Sequence, residues 1–323
     1  MERRVARAED LPPLELRQVG TLALESRSSP GEASYVASAS GVVRRAEYVY
    51  VIADDELCLA VFDASSDEPG RLERVLSGTL PADQDGRSEA KPDLEALTTL
   101  PPFEGSPYGA LLGLGSGSAP ERDRGFAWRL QADGSLEGDP IELDLAPLYG
   151  LLRDRLATLN VEGAAVMGDE LWLLQRGNSA HGENVVVALS CAEVLESLER
   201  DRTLAAEEFQ RVLGFDLGEL HGVPLTFSDA SALGGEMLVF TASAEDSSGT
   251  HGKGAILGSV VGTIDLAGEV RRLRTIERKY KVEGVHAVLD SGVVTMTFVC
   301  DQDDPATASP LLSATMGLEV GQS

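Results

Sequence analysis

Short apolar runs recur along the chain, and glycine or acidic residues flank each of them. They cover residues 47–52, 110–114, 171–174, 237–240 and 293–299. Apolar runs of this length between turn signals are typical of strands that are buried on both faces. Further strand-like segments follow the runs, such as residues 125–130 and 140–145. The pattern predicts an all-β protein.

A short sequence motif, here called the phrase, accompanies each run. It consists of an acidic or hydroxyl residue followed by small residues. These acidic or hydroxyl residues are Ser40, Glu95, Glu162, Asp229 and Glu283. The intervals between them are unequal, which indicates one repeated unit with loops of variable length. Four antiparallel strands in a unit of this length are typical of a β-propeller blade. A six-bladed ring would need a sixth phrase, and a β-sandwich would give no reason for the phrase to recur.

The sequence therefore predicts a five-bladed β-propeller that forms a single domain over residues 1–323. We expect the blades near residues 38–80, 94–145, 160–217, 228–277 and 282–316. The last unit supplies only three strands, and residues 14–24 alternate in polarity as an outer strand does. We expect this N-terminal strand to complete the last blade, which leaves no open blade edge. Two short helical insertions are predicted at residues 146–156 and 191–204.

Composition narrows the class of partner. The formal net charge is −26, and its long-range field repels nucleic acid and anionic membrane surfaces. No apolar stretch approaches the ~18 residues of a membrane span, and no secretory signal is visible. Three widely spaced cysteines fit a reducing compartment. We expect a soluble, cytoplasmic monomer with a small-molecule ligand, although acidity can also serve solubility alone.

The repeated residue of each phrase is expected to begin the innermost strand of its blade. Ser40, Glu95, Glu162, Asp229 and Glu283 would then surround the mouth of the central channel, on the face that carries the longer loops. Like charges crowded in a narrow channel must either be protonated or bind a cation. Oxygen ligands without cysteine or histidine select a hard cation such as Ca²⁺. The alternative is that these side chains accept hydrogen bonds from backbone and water.

Cationic and titratable residues recur in the loops of the same face. The predicted ligand rim consists of Lys91, Arg124, His251, Lys253 and Lys281. Arg176 follows a buried strand, so it is the candidate clamp for a phosphate group, and His181 is the nearest candidate base. The alternative is that these residues form ion pairs with nearby acids and hold the loops in place.

Residues 281–285 and, more loosely, 227–231 resemble channel segments of the calcium-activated nucleotidases (apyrases). The resemblance implies a channel Ca²⁺ held by one carboxylate or hydroxyl per blade. Phytase-like and esterase-like bacterial propellers share the Glu-Gly signature, so we expect the chain to belong to an uncharacterised bacterial β-propeller family that resembles them.

Two functions remain open from the sequence. The first is metal-dependent hydrolysis of a phosphorylated or ester small molecule at the channel mouth. The second is a non-catalytic propeller that binds a ligand or a protein, with a structural ion or water in the channel.

Overall fold

The apolar runs of the sequence form the second strands of five four-stranded antiparallel units. The computed structural model describes residues 3–25, 34–81, 83–177, 184–246, 255–277, 280–302, 304 and 306–317. Within these ranges each innermost strand packs beside the next one, and the last packs beside the first. The described chain is therefore a closed five-bladed β-propeller, as the sequence predicts.

The strands are numbered in chain order. The N-terminal segment holds β1 (Arg3–Val5) and β2 (Arg17–Thr21). Blade 1 holds β3 (Ala39–Arg45), β4 (Tyr48–Ala53), β5 (Cys58–Asp63) and β6 (Arg71–Arg74). Blade 2 holds β7 (Leu94–Leu100), β8 (Ala110–Gly115), β9 (Arg124–Arg129) and β10 (Ile141–Asp144). Blade 3 holds β11 (Val161–Met167), β12 (Glu170–Gln175), β13 (Asn184–Ser190) and β14 (Arg211–Asp216).

The remaining strands complete the ring. A small hairpin, β15 (Glu219–Leu220) and β16 (Val223–Pro224), leads into blade 4. Blade 4 holds β17 (Thr226–Ala232), β18 (Met237–Asp246), β19 (Ala255–Asp265) and β20 (Val270–Thr275). Blade 5 holds β21 (Val282–Asp290), β22 (Val293–Cys300) and β23 (Pro310–Gly317). β2 pairs antiparallel with β23 as the fourth strand of blade 5, so the predicted N-terminal closure is confirmed.

Residues 3–25, here named the N-terminal belt, run along the outer edges of four blades. β1 pairs parallel with β14 of blade 3, and Leu14 forms a parallel bridge beside blade 4. β2 then completes blade 5, and Leu24 pairs with Gly70 beside blade 1. The sequence predicts the part of this belt that lies in blade 5, but it gives no sign of the contacts with the other three blades.

Five apolar clusters of the described residues each fill the space between two adjacent blades. The predicted insertions form helices α2 (Ala146–Arg153) and α3 (Cys191–Asp201), which pack over the cluster between blades 2 and 3. A further helix, α1 (Gln84–Ala90), was not predicted; Asp83 caps it by accepting a hydrogen bond from the Gly86 amide. None of the described helices has the length and apolarity needed to cross a bilayer.

Candidate functional site

Every innermost strand has a β-bulge near its start. In blades 1, 2, 3 and 5 the unpaired residue of the bulge is the one that the sequence singles out, and these residues are Ser40, Glu95, Glu162 and Glu283. A bulge leaves one residue without a cross-strand partner and re-aims its side chain. All four side chains line a cavity of about 90 Å³ in the channel. The structure thus brings four of the five predicted metal ligands together.

Blade 4 departs from the predicted register by one residue. Its bulge residue is Ser228, while Asp229 pairs with Thr241 and takes the place that Gly163 and Gly284 hold in their blades. The Asp229 Oδ2 atom accepts a hydrogen bond from the Val285 amide at 2.8 Å. Asp229 therefore lies between blades 4 and 5 and does not line the cavity, which corrects its assignment as a channel ligand.

The place next to the bulge is small in the other blades because the neighbouring backbone lies close. A Cβ atom on Gly163 would lie 2.7 Å from the backbone nitrogen of Ala230. A Cβ atom on Gly284 would lie 2.9 Å from the carbonyl oxygen of Ser40. Glycine at this place thus allows the innermost strands of adjacent blades to approach one another.

Sequence reasoning missed two acids of the cavity, Asp54 and Asp301. Each directly follows the second strand of its blade, as Arg176 does in blade 3 and Ser116 in blade 2. Asp54, Asp301 and Arg176 line the cavity together with Ser38 and Lys281. The recurrence of a polar residue directly after an apolar run in four blades was the signal that could have identified them.

The acids of blades 1 and 2 form a compact cluster. The carboxylates of Asp54, Asp93 and Glu95 each offer an oxygen atom, and these atoms lie within 4.8 Å of one another. Lys91 contacts the Asp54 carboxylate, and its Nζ lies 2.6 Å from Asp93 Oδ1. Among the described residues, the buried Asp54 Oδ1 has no hydrogen-bond partner. The cluster is therefore only partly neutralised.

Arg176 and Lys281 act as counter-ions for other carboxylates of the cavity. Arg176 forms ion pairs with Glu162, at 3.5 Å, and with Glu245. Lys281 lies 3.3 Å from Glu283 Oε1 and 3.0 Å from Asp301 Oδ2. Burial lowers the pKa of Arg176, but the nearby carboxylates outweigh burial and raise it. These contacts match the alternative in which the cations neutralise channel acids.

Burial governs the acid–base behaviour of the cavity. It raises the pKa of Asp54 to about 6, although the Lys91 ammonium opposes the shift. It raises the pKa of Glu162 to about 8 against the opposing charge of Arg176. Burial also raises the pKa of Glu283, and it raises the pKa of Glu95 well above its usual range with Glu162 adding to the shift. Five carboxylates and two cationic side chains line the cavity, so a positive charge would be stabilised there.

Arg124, another predicted rim residue, lies elsewhere. Arg124 does not line the cavity; its Nη2 donates a hydrogen bond to Glu142 Oε1 at 2.6 Å. His181, His251 and Lys253 lie outside the described residues, and their assigned roles stay predictions.

The donor set fits a hard divalent cation. The lining side chains of the described cavity offer carboxylate and hydroxyl oxygens and contain neither cysteine nor histidine, which is the chemistry of a Ca²⁺ site. A cavity of about 90 Å³ exceeds the ~10–15 Å³ that one water needs, so an ion and several waters fit. It is smaller than the ~300–1,000 Å³ of sites that enclose drug-sized ligands.

Comparison with known proteins gives the family. The sequence matches the family of unknown function DUF6929 over residues 35–316. The chain belongs to this family. No curated protein matches the sequence, and the comparisons give no support to the resemblance to apyrase or phytase-like propellers.

Three solved structures with a similar fold have low sequence identity to this chain. Glutaminyl cyclase of Myxococcus xanthus is 13% identical with a TM-score of 0.47, and the match covers 94% of this chain and 99% of that chain. A luciferin-regenerating enzyme is 10% identical with a TM-score of 0.42, covering 88% and 93% of the two chains. The tail fibre of Staphylococcus aureus phage P68 is 11% identical with a TM-score of 0.45, covering 95% and 53%. These likenesses bear on neither the activity nor the ligand of this chain.

Proposed function

We propose that the protein binds one hard divalent cation, Ca²⁺ in the first instance, in the cavity of its central channel. Asp54 and Glu95 are the proposed first ligands, and Glu162 and Glu283 line the same cavity. The observation that supports this most is the buried Asp54 Oδ1, which lacks a hydrogen-bond partner among the described residues and belongs to the Asp54–Asp93–Glu95 cluster.

The physical reason is the cost of burying charge. A buried carboxylate oxygen without a partner loses its hydration and gains nothing in return. The cations near the cavity reduce this cost but do not match the number of carboxylates. A divalent cation that takes oxygen atoms from Asp54 and Glu95 would replace both the lost hydration and the missing charge.

For the role of the cation, we propose hydrolysis of a phosphorylated or ester small molecule at the channel mouth. A cation held by a few carboxylates in a cavity with room for water keeps coordination positions for a substrate oxygen or a nucleophilic water. The substrate itself would lie above the cavity, because the cavity has room only for an ion and several waters.

A second candidate is a non-catalytic binding propeller with a structural ion. Its support comes from Arg176 and Lys281, which pair with channel acids and so are not presented to an anionic substrate. Both candidates require the same cation site and differ in what happens above it.

The cation site is tested by calorimetric titration with CaCl₂ and by thermal unfolding with and without EDTA. We expect Ca²⁺ to bind and to raise the melting temperature, because a ligand that binds only the folded state stabilises it by mass action. Glu95→Gln should weaken binding by about tenfold or more, which corresponds to ~1.4 kcal/mol. Glu236→Gln is the matched control. Glu236 is exposed in the β17–β18 turn of blade 4, at the end of the innermost strand that is far from the bulge. No heat of binding and no thermal shift at millimolar Ca²⁺ would contradict the proposal.

The two candidate roles are separated by assays on phosphomonoesters, nucleotides and carboxylic esters. Turnover that requires Ca²⁺, stops with EDTA and falls in Glu95→Gln supports the hydrolase. Tight Ca²⁺ binding without turnover of any of these substrates supports the non-catalytic propeller.

A further inference from the structure

We infer that Lys91 is a tethered competitor for the cation site, so that Ca²⁺ binds by displacing the Lys91 ammonium from Asp54. This inference rests on the proposed function, because it concerns the same carboxylates. It explains why Lys91, a predicted residue of the ligand rim, is held inside an acidic cluster.

Helix α1 places Lys91 in this position. Lys91 caps the C-terminus of α1, and its amide donates a hydrogen bond to the Arg87 carbonyl at 2.9 Å. Arg87 in turn forms ion pairs with Asp55 at 3.3 Å and Glu56 at 3.2 Å. The helix is therefore attached to the loop that begins with Asp54, and the Lys91 side chain is only 17% exposed.

The two partners of Lys91 depend on it to different extents. Asp93 Oδ2 also accepts hydrogen bonds from Ser116 Oγ at 2.5 Å and Arg122 Nη1 at 2.8 Å. Asp93 would thus stay neutralised if Lys91 left. Among the described residues, Lys91 supplies the one ion pair of Asp54, so Asp54 is the acid that needs a replacement cation.

A divalent cation would provide that replacement more completely than the ammonium. One lysine charge cannot balance both Asp54 and Glu95, whereas a divalent cation can. The ammonium and the cation cannot share the cluster, because two positive charges a few ångströms apart repel strongly in a partly buried site. Binding therefore requires that Lys91 move away, and this displacement lowers the affinity of the unaltered protein.

The test compares Lys91→Met with Lys281→Met by calorimetric titration with CaCl₂. Both variants remove one positive charge next to the cavity, but the ion-pair partners of Lys281 are Glu283 and Asp301, whereas Lys91 pairs with Asp54 and Asp93. We expect Lys91→Met to bind Ca²⁺ about tenfold more tightly or better, ~1.4 kcal/mol or more, and Lys281→Met to gain clearly less. In the unaltered protein, Ca²⁺ should increase chemical labelling of the Lys91 amine, measured by mass spectrometry.

The outcomes separate this inference from the proposed function. If the unaltered protein binds Ca²⁺ and Lys91→Met binds it equally or less tightly, the Lys91 inference is wrong and the cation site stands. An equal gain in both variants also overturns it, since a general charge effect would then be sufficient. If Lys91→Met binds Ca²⁺ and the unaltered protein does not, Lys91 blocks the site and the native cation proposal fails. If neither binds, both fail. Lys91→Gln, which keeps one hydrogen-bond donor, gives the same comparison if the methionine variant does not fold.

Discussion

Asp229 shows how a carboxyl group can stabilise the contact between two blades without binding a cation. It is fully buried, and its Oδ2 accepts a hydrogen bond from the amide of Val285 in the innermost strand of blade 5. Its Oδ1 has no hydrogen-bond partner among the described residues. Burial raises the pKa of Asp229 well above its usual range. Burial therefore favours the neutral form of this acid, which satisfies one amide of the next blade.

Substitution of Asp229 tests this assignment. Asp229→Asn keeps the size and an acceptor for Val285 and carries no charge that burial would penalise, so we expect a free energy of unfolding within ~1 kcal/mol of the parent. Asp229→Ala leaves the Val285 amide without a partner and should cost about 1–3 kcal/mol. Urea unfolding at pH 7 measures both values. Since Asp229 does not line the cavity, Asp229→Asn should keep the Ca²⁺ affinity. A tenfold loss of Ca²⁺ affinity in that variant would show that Asp229 is a cation ligand.

At the scale of single residues, the sequence identified four cavity residues because each combines an acid or hydroxyl with a small residue at a fixed place in the repeat. The same pattern misassigned Asp229, because Asp229-Ala230 resembles Glu162-Gly163 in having an acid before a small residue. The bulge residue of blade 4 is Ser228, one position earlier. Sequence spacing cannot show a one-residue register shift in a bulge, because the cross-strand partner decides the register.

Among the elements, the N-terminal belt contributes contacts at three of the five interfaces between blades. Leu14 and Leu16 lie in the apolar cluster between blades 4 and 5, and Leu22 and Leu24 lie in the cluster between blades 5 and 1. Ala6 and Ala8 pack against the cluster between blades 3 and 4. The belt thus links the last blade to the first and also covers two neighbouring interfaces.

Truncation should reveal two levels of this contribution. Deleting residues 1–12 removes β1, which pairs with blade 3 over three residues, and should lower the melting temperature only modestly. Deleting residues 1–24 also removes β2 and four buried leucines, each worth ~1.5–3 kcal/mol. This sum is comparable with the ~5–15 kcal/mol total stability of ordinary proteins, so we expect a protein that is unfolded or melts far below the parent. Differential scanning calorimetry of the three forms measures the effect, and equal melting temperatures for the two deletions would show that β2 does not close the ring.

The strands were predictable because each is encoded by its own apolar run and turn residues, and the repeat supplies their order. The parallel pairing of β1 with β14 depends on a contact between residues 3–5 and 214–216. No local sequence pattern predicts a contact between such distant segments. Helix α1 is short, and only the Asp83 cap marks its start. It matters nonetheless, because Lys91 ends this helix and points into the acid cluster.

At the scale of the whole molecule, some of the acidic groups that give the net charge of −26 are buried in the channel, where their hydration is reduced. Burial raises the pKa values of Asp54 and Glu162 to about 6 and about 8, from ordinary values near 3.8 and 4.5 in the unfolded chain. Glu95 and Glu283 shift in the same direction. At these four carboxyl groups the folded state therefore holds more protons than the unfolded state between about pH 4 and pH 8. Burial lowers the pKa of His286 from 6.5 to about 4, so this one group acts in the opposite direction below about pH 6.5.

Protein stability in the absence of a divalent cation should accordingly decrease with rising pH. Groups whose folded pKa is raised stabilise the fold fully below their unfolded pKa, and this contribution disappears as the pH passes their folded pKa. The slope is about 1.4 kcal/mol per pH unit for each additional proton held by the folded state. Urea unfolding in EDTA at pH 5, 6, 7 and 8 should show this fall, and Glu162→Gln should reduce it above pH 6.

Calcium should reverse the trend, because it binds the ionised carboxylates and its affinity increases as they lose their protons. The stabilisation by Ca²⁺ is then larger at pH 8 than at pH 5, and saturating Ca²⁺ should flatten the pH profile measured in EDTA. A stability in EDTA that increases from pH 5 to pH 8 would show that Lys91, Arg176 and Lys281 already neutralise the channel acids. In that case the cavity would have no need of a cation, and the charge argument for the calcium site would be lost.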